Sequence, residues 1–256
     1  MKKLALLAVI MKSELKKEYS GSILGFLWIY INPIIYAITY TIVFGIFFKT
    51  NWSADSSNND YFSGFWSGFI IYNLFIYPIS RSAVIYVENR NIIKKTSIDM
   101  YLFTVASILI SILNLIIGLI ILIIYNYLHN NILPSDDATI IWIILSVVIL
   151  SFGFSLIISS LSVYLKDLKH IVPFITNLIL WFSPVFYKSE NIPENWMNII
   201  KINPLTFLIE GGRDILINNK EVNINAIVNS ISISFIVLII AIILHLKIRK
   251  GFSDVI

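Results

Sequence analysis

Six stretches of this chain, at 26–48, 61–80, 101–128, 139–163, 171–187 and 226–246, contain no Asp, Glu, Lys or Arg. Five of them reach the ~20 residues that an α-helix needs to cross ~30 Å of hydrocarbon. The run at 171–187 is the shortest, and it carries Pro173 and Pro184. With 57% hydrophobic and 13% charged residues, there is more apolar side chain here than a soluble core of this length can bury. The chain therefore reads as an all-α integral membrane protein, a single transmembrane domain over 1–256 with six transmembrane helices.

Ion-coupled carriers place ionisable groups or broken helices near the bilayer midplane, because coupling charges bind there. The six runs offer neither, and no long internal repeat is present. A secondary transporter is disfavoured on both counts. The chain has no cysteine and three scattered histidines, which removes a disulfide framework, thiolate metal sites and a histidine cluster. No metal site is expected.

Six crossings put both ends on one side, and basic residues then set which side that is. The N-terminal segment, 81–95, 166–169 and the tail from Lys247 hold fourteen of the nineteen Lys and Arg residues. Both termini are thus expected in the cytoplasm. The opening "MKKLALLAVIM" has the look of a signal peptide, yet charges resume in "KSELKKEYS" without a small-residue cleavage site. Leu4, Leu7, Met11 and Leu15 recur at helical steps, with Lys12, Glu14, Lys16 and Lys17 mostly elsewhere on the wheel. An N-terminal interfacial amphipathic helix over 1–22 follows.

Three loops carry more than connection. "RSAVIYVENRNIIKKTSID" is too charged for lipid and too apolar for a plain linker, so a short cytoplasmic helix over 81–97 fits, able to dock on a soluble partner or simply to lie solvated. "YLKDLKHIVPF" is a tight cytoplasmic turn in which His170 reads as an interfacial side chain. Between spans five and six, the segment 190–218 contains two proline-opened half-apolar helices, the second with Leu205, Leu208, Ile209, Gly212, Ile215 and Leu216 on one flank and Asn203 placed to cap it. Each is too short to cross. Both ends return to the outer face, so the pair is either an outer-face re-entrant helical hairpin or a flat helical cap.

Several motifs resemble one family. "YSGSILGFLWIYINP", "ENRNIIKKT", "YLKDLKHIV" and "SPVFY…IPENW…INPLT…RDIL" are similar in order and type to the membrane (permease) subunit of ABC-2 type polysaccharide exporters, which includes the O-antigen, capsule and teichoic-acid permeases. The resemblance covers nearly the whole chain. It departs from the family at Glu18, where arginine is common, and at Lys166, which keeps the charge of the usual arginine but not its planar fork.

The resemblance implies a homodimer working with two cytoplasmic ATPase subunits, with ATP and Mg bound by the partner and no cofactor in this chain. No glycine here is followed by lysine, so a G-x-x-x-x-G-K-[ST] phosphate loop is absent. By the same likeness 81–97 is a coupling helix, with Tyr86, Glu88, Arg90, Ile92, Ile93 and Lys94 at the ATPase contact. The cargo would be a polyprenyl-diphosphate-linked polysaccharide, O-antigen first, moved to the outer leaflet of a bacterial inner membrane. Its sugar path would be lined by Tyr36, Tyr40, Phe44, Phe62, Trp66, Phe69, Phe174, Trp181 and Phe182, residues that read equally as interfacial anchors or packing. Its headgroup would be admitted by Lys12, Lys16, Lys17, Ser20, Gly21 and Gly25. Pro184, Pro193, Trp196, Pro204 and Arg213 would form the outer gate.

Two other readings stay open on the residues alone. An ABC-2 exporter of a drug or small lipid shares the architecture. A membrane glycan ligase or acyltransferase requires a polar cluster at one face, and the outer face offers Glu190, Glu194, Glu210, Arg213 and Asp214 without a histidine pair.

Overall fold

The computed structural model describes residues 2–18, 21–48, 61–95, 98–129, 138–218 and 220–252, and all regular structure among them is helical. Helix α1 (Lys2–Glu18) is followed by α2 (Trp28–Tyr40), which continues into a π-helical segment at Thr41–Phe47. Then come α3 (Tyr61–Ser82), the short turns α4 (Ile85–Glu88) and α5 (Arg90–Lys95), α6 (Tyr101–His129), α7 (Thr139–Ser162), α8 (Leu168–Trp181), α9 (Glu194–Ile202), α10 (Pro204–Arg213) and α11 (Ile224–Ile248).

Four of these, α3, α6, α7 and α11, are long and apolar enough to cross a bilayer, so the chain is a multi-pass helical membrane protein. The first and fifth expected spans take the form of the shorter apolar segments Ile31–Phe47 and Leu168–Trp181. Physical causes are visible at both. The first changes pitch at Thr41, and a Cβ at Gly45 would stand 3.0 Å from Tyr61 Cβ, so the wide turn sits tight against α3. The fifth stops at Trp181, ahead of Ser183 and Pro184, because a residue before proline is pushed out of helical geometry.

Helix α3 is the central post. Buried residues make up 83% of its apolar stretch, against 22% in α11. The sequence explains this division: α3 carries the small and polar set Ser63, Gly64, Ser67 and Gly68, which lets neighbours approach, while α11 is rich in isoleucine suited to lipid contact. Serines join the spans as well. Ser151 Oγ donates to Phe75 O (2.7 Å), and Ser234 Oγ donates to Ser146 O (3.0 Å).

The segment expected as one helix over 81–97 is divided at Asn89, whose Nδ2 donates to Ile85 O (2.8 Å) and Glu14 Oε1 (3.0 Å). A side chain that bonds its own backbone competes with helix continuation. In the pair before α11, Asn203 caps α10, its Oδ1 accepting from Leu205 N (3.0 Å), with Pro204 at the first helical position. The flank Leu205, Leu208, Ile209, Gly212, Ile215 and Leu216 is buried. Helix α10 lies against α3 and α7, while α9 is the outer member, with Trp196 exposed.

Candidate functional site

At the expected cytoplasmic end, α1, α3 and the α4–α5 turns meet around a buried carboxylate. Glu14 is 2% exposed, and Arg81 donates to its Oε2 from both Nε (2.9 Å) and Nη2 (2.6 Å). Lys17 pairs with Glu14 Oε1 at 3.1 Å, and Arg81 also bonds Glu88. Burial alone would push the Glu14 carboxyl up, but the Asn89 amide, the Arg81 guanidinium and the Lys17 ammonium together hold it below the usual carboxylate range. The arrangement ties α1 to α3 and to the α4–α5 turns.

Around that centre the expected coupling residues divide. Tyr86 is buried, its hydroxyl 3.2 Å from Thr104 Oγ1, and Ile93 is half-buried. Glu88, Arg90, Ile92 and Lys94 are exposed. Of the expected headgroup residues, Lys12 and Lys16 are exposed and Lys17 is turned into the Glu14 pair. Gly21 and Gly25 adopt positive φ (81° and 53°), with nothing within 4 Å of a built Cβ, so glycine is needed there for conformation and not for close approach. Ser20 lies outside the described residues.

The expected path aromatics fall into two rows. Tyr36, Tyr40 and Phe44 follow one another along α2 and its π-helical extension, with ring centroids 6.2 and 6.3 Å apart. Phe62, Trp66 and Phe69 follow α3, at 5.6 and 6.1 Å. Phe186, in the turn after α8, touches Tyr40 (4.6 Å), Phe44 (5.4 Å) and Trp181 (5.1 Å). Phe174, Trp181 and Phe182 are exposed on the α8 side. Tyr36 from the first row and Trp66 and Phe69 from the second line a common cavity of about 200 Å³ between α2, α3 and α6.

The opposite end, expected to face outward, is organised by one guanidinium. Arg213 is 5% exposed, and it donates from Nε to Gly64 O (2.8 Å) and from Nη2 to Pro184 O (2.7 Å) and Val185 O (3.5 Å). Tyr61 donates to Phe186 O (3.1 Å), and Asn203 Nδ2 donates to Ser183 Oγ (2.9 Å) and Phe182 O (3.5 Å). A non-helical turn thus has its carbonyls satisfied by protein donors, which is the condition for irregular backbone to stand at membrane depth. Of the other expected gate residues, Pro184 is buried in this turn, Pro193 precedes α9 and Pro204 opens α10. Beside Arg213, a polar cleft of about 130 Å³ includes Lys188, Glu210, Asp214 and Lys220.

This order of elements has a counterpart among known proteins. The sequence pattern of the ABC-2 type transporter family matches residues 5–217. The chain belongs to that family. An ABC-2 type transporter membrane protein works with ATPase subunits, and its multi-pass membrane nature agrees with the apolar helices. Two proteins of Klebsiella pneumoniae, both named O-antigen export system permease protein RfbA, are 26% identical to it. One aligns over 254 residues (98% of this chain, 94% of the relative), the other over 217 (83% and 80%). A protein of the same name from Myxococcus xanthus is 24% identical over 211 residues, 80% of this chain and 77% of the relative.

The ABC-2 chain also uses residues that sequence reasoning passed over. Glu14 was one polar residue among several on α1, and its role depends on Arg81 and Asn89, distant in sequence. Phe186 sat within "SPVFY" as part of a turn. Asn32, Asn73 and Asn114, which line the cavity, had a signal: a carboxamide within an apolar run is costly unless it has work to do.

Proposed function

We propose that this chain is the transmembrane subunit of an ATP-driven exporter that moves a polyprenyl-diphosphate-linked polysaccharide, O-antigen first, from the cytoplasmic to the outer leaflet of the inner membrane. The observation that carries the reading is the likeness to an O-antigen export permease over 98% of this chain. In this reading α2 with its π-helical extension, and α8 with its following turn, complete six crossings, and both termini are cytoplasmic. The chain performs no hydrolysis of its own. ATP and Mg bind a pair of partner ATPases, which dock on the exposed Glu88, Arg90, Ile92 and Lys94. The exposed aromatics of α2 and α8 meet a second copy of the chain, and the sugar polymer passes between the two over their ring faces. Lys12 and Lys16 receive the diphosphate at the cytoplasmic leaflet, where cationic partners suit it. Helices α9 and α10 act as a re-entrant outer gate, supported by the seating of α10 against α3 and α7.

The test is reconstitution with the ATPase partner in liposomes carrying a polyprenyl-diphosphate-linked glycan. ATP-dependent appearance of the glycan at the opposite leaflet is expected. Export of a small amphiphile with no effect of the glycan would instead assign the chain to drug or lipid transport.

A further inference from the structure

The cavity between α2, α3 and α6 combines aromatic and carboxamide surface. Its walls include the rings of Tyr36, Trp66 and Phe69, and its polar atoms include the carboxamides of Asn32, Asn73 and Asn114. Aromatic faces cover the C–H faces of a sugar ring, and carboxamides both donate to and accept from its hydroxyls.

The site is built rather than incidental. Trp66 is held by its Nε1 donating to Gly118 O (2.9 Å), and Trp28 at the mouth by its Nε1 donating to Ser22 Oγ (2.8 Å). Tyr77 donates to Glu18 Oε2 (2.8 Å) at the same mouth. The indoles of Trp66 and Trp28 and the phenol of Tyr77 are thus fixed by hydrogen bonds, while Tyr36 and Phe69 are placed by ring contacts with Tyr40 (6.2 Å) and Trp66 (6.1 Å). Asn73 commits its Nδ2 to Phe69 O (3.0 Å). By contrast, the carboxamides of Asn32, which is exposed, and Asn114, which is half-buried, have no hydrogen bond to another described residue and are open to a ligand. Asn114 lies halfway along the 29-residue α6, so its amide stands near mid-membrane, where an unsatisfied polar group is costly.

Two features define the occupant. The volume of about 200 Å³ lies below the ~300–1,000 Å³ of sites for drug-sized ligands and suits one ring. Leu113 and Ile116, on either side of Asn114, are exposed, so the approach is through acyl chains. We infer that the cleft holds one uncharged sugar ring of a membrane glycolipid, its faces against Tyr36, Trp66 and Phe69 and its hydroxyls on Asn32 and Asn114. The inference rests on the export reading only in taking the ring to be part of a lipid-linked glycan. It places a recognition pocket within a single copy of the chain, beside the path between copies and sharing Tyr36 with it.

The test uses the full chain in phosphatidylcholine nanodiscs doped in turn with glucosyl diacylglycerol, diacylglycerol and phosphatidylglycerol, with retained lipid counted by native mass spectrometry. Wild type is expected to retain the glucosyl lipid about tenfold over the other two, and Asn114→Leu and Asn32→Leu to lose most of that preference, a tenfold change being one good hydrogen bond's worth of affinity. Asn114→Gln, which keeps the amide, is expected to retain part of it, and the elution profile of all variants reports folding. Equal retention of diacylglycerol, preference for the anionic lipid, or a change of oligomeric state in Asn114→Leu with retention unchanged would overturn the proposal. Glycan export is scored separately with ATP, so loss of export with intact lipid retention counts against the export reading alone.

Discussion

Arg213 concentrates on one guanidinium the donors that the Pro184 and Val185 carbonyls need outside any helix, and adds a bond to the Gly64 carbonyl within α3, which also accepts from Ser67 Oγ. A planar fork can serve several acceptors in fixed directions, and an ammonium on a flexible stem cannot. Arg213→Lys is therefore expected to keep the charge but leave buried carbonyls unserved, at about 1–3 kcal/mol each. A clear drop in the thermal midpoint of the purified protein would show it, and a midpoint equal to wild type would count against the clamp. Glu14 works in the opposite sense, as an anion held among donors. Its carboxyl lies below its ordinary value of 4.5, so the stabilisation is fully present above that pH and is lost as pH falls through the lower folded value. Cross-linking between cysteines placed on α1 and α4 should be flat from neutral pH down to about 5 and weaken only in stronger acid. Glu14→Gln, which removes the anion at every pH, should weaken it already at neutral pH, and an undiminished yield would contradict the role assigned to the pair.

At the scale of elements, α10 is seated by what it lacks. A Cβ at Gly212 would run into Ile71 Cδ1 on α3, so Gly212→Val should overpack the contact at about 1–3 kcal/mol and lower both stability and export. Unchanged stability would mean that α10 is not pressed against α3. This helix was also the most legible part of the chain, because its signals are local. Asn203 followed by Pro204 marks a helix start, and the flank from Leu205 to Leu216 repeats at helical spacing. The long spans were legible for the same reason, since apolar length needs no partner to be recognised. What could not be read depends on residues far apart. The break at Asn89 involves Glu14 in another helix, the turn after Trp181 is held by Arg213 and Tyr61, and the cavity exists only because Tyr36, Trp66 and Asn114 come from three helices. The pitch change at Thr41 gave no sequence signal beyond Gly45, and the burial of Tyr86 depends on how α4 meets α6.

For the molecule as a whole, the charged groups that bind one another gather at the two ends, around a core of α3 flanked by α6 and α7 whose spans are joined by serine hydrogen bonds. The end expected in the cytoplasm gathers Glu14, Arg81, Glu88 and Asn89 behind an exposed surface, and the opposite end gathers Arg213, Tyr61 and Asn203 around a turn. A push on the α4–α5 turns would thus reach α1 through Glu14 and α3 through Arg81, and α3 meets the outer turn at Tyr61 and Gly64. In the export reading that push comes from the partner ATPase. The most direct measurement is ATP hydrolysis by the wild-type chain reconstituted in lipid with its ATPase partner, against Arg90→Glu and Ile92→Asp at the exposed surface. A complex whose hydrolysis responds to the membrane subunit, and whose response falls by about tenfold or more in both variants, is the predicted result. A chain that binds no ATPase, or one whose response is untouched by both changes, would contradict the account.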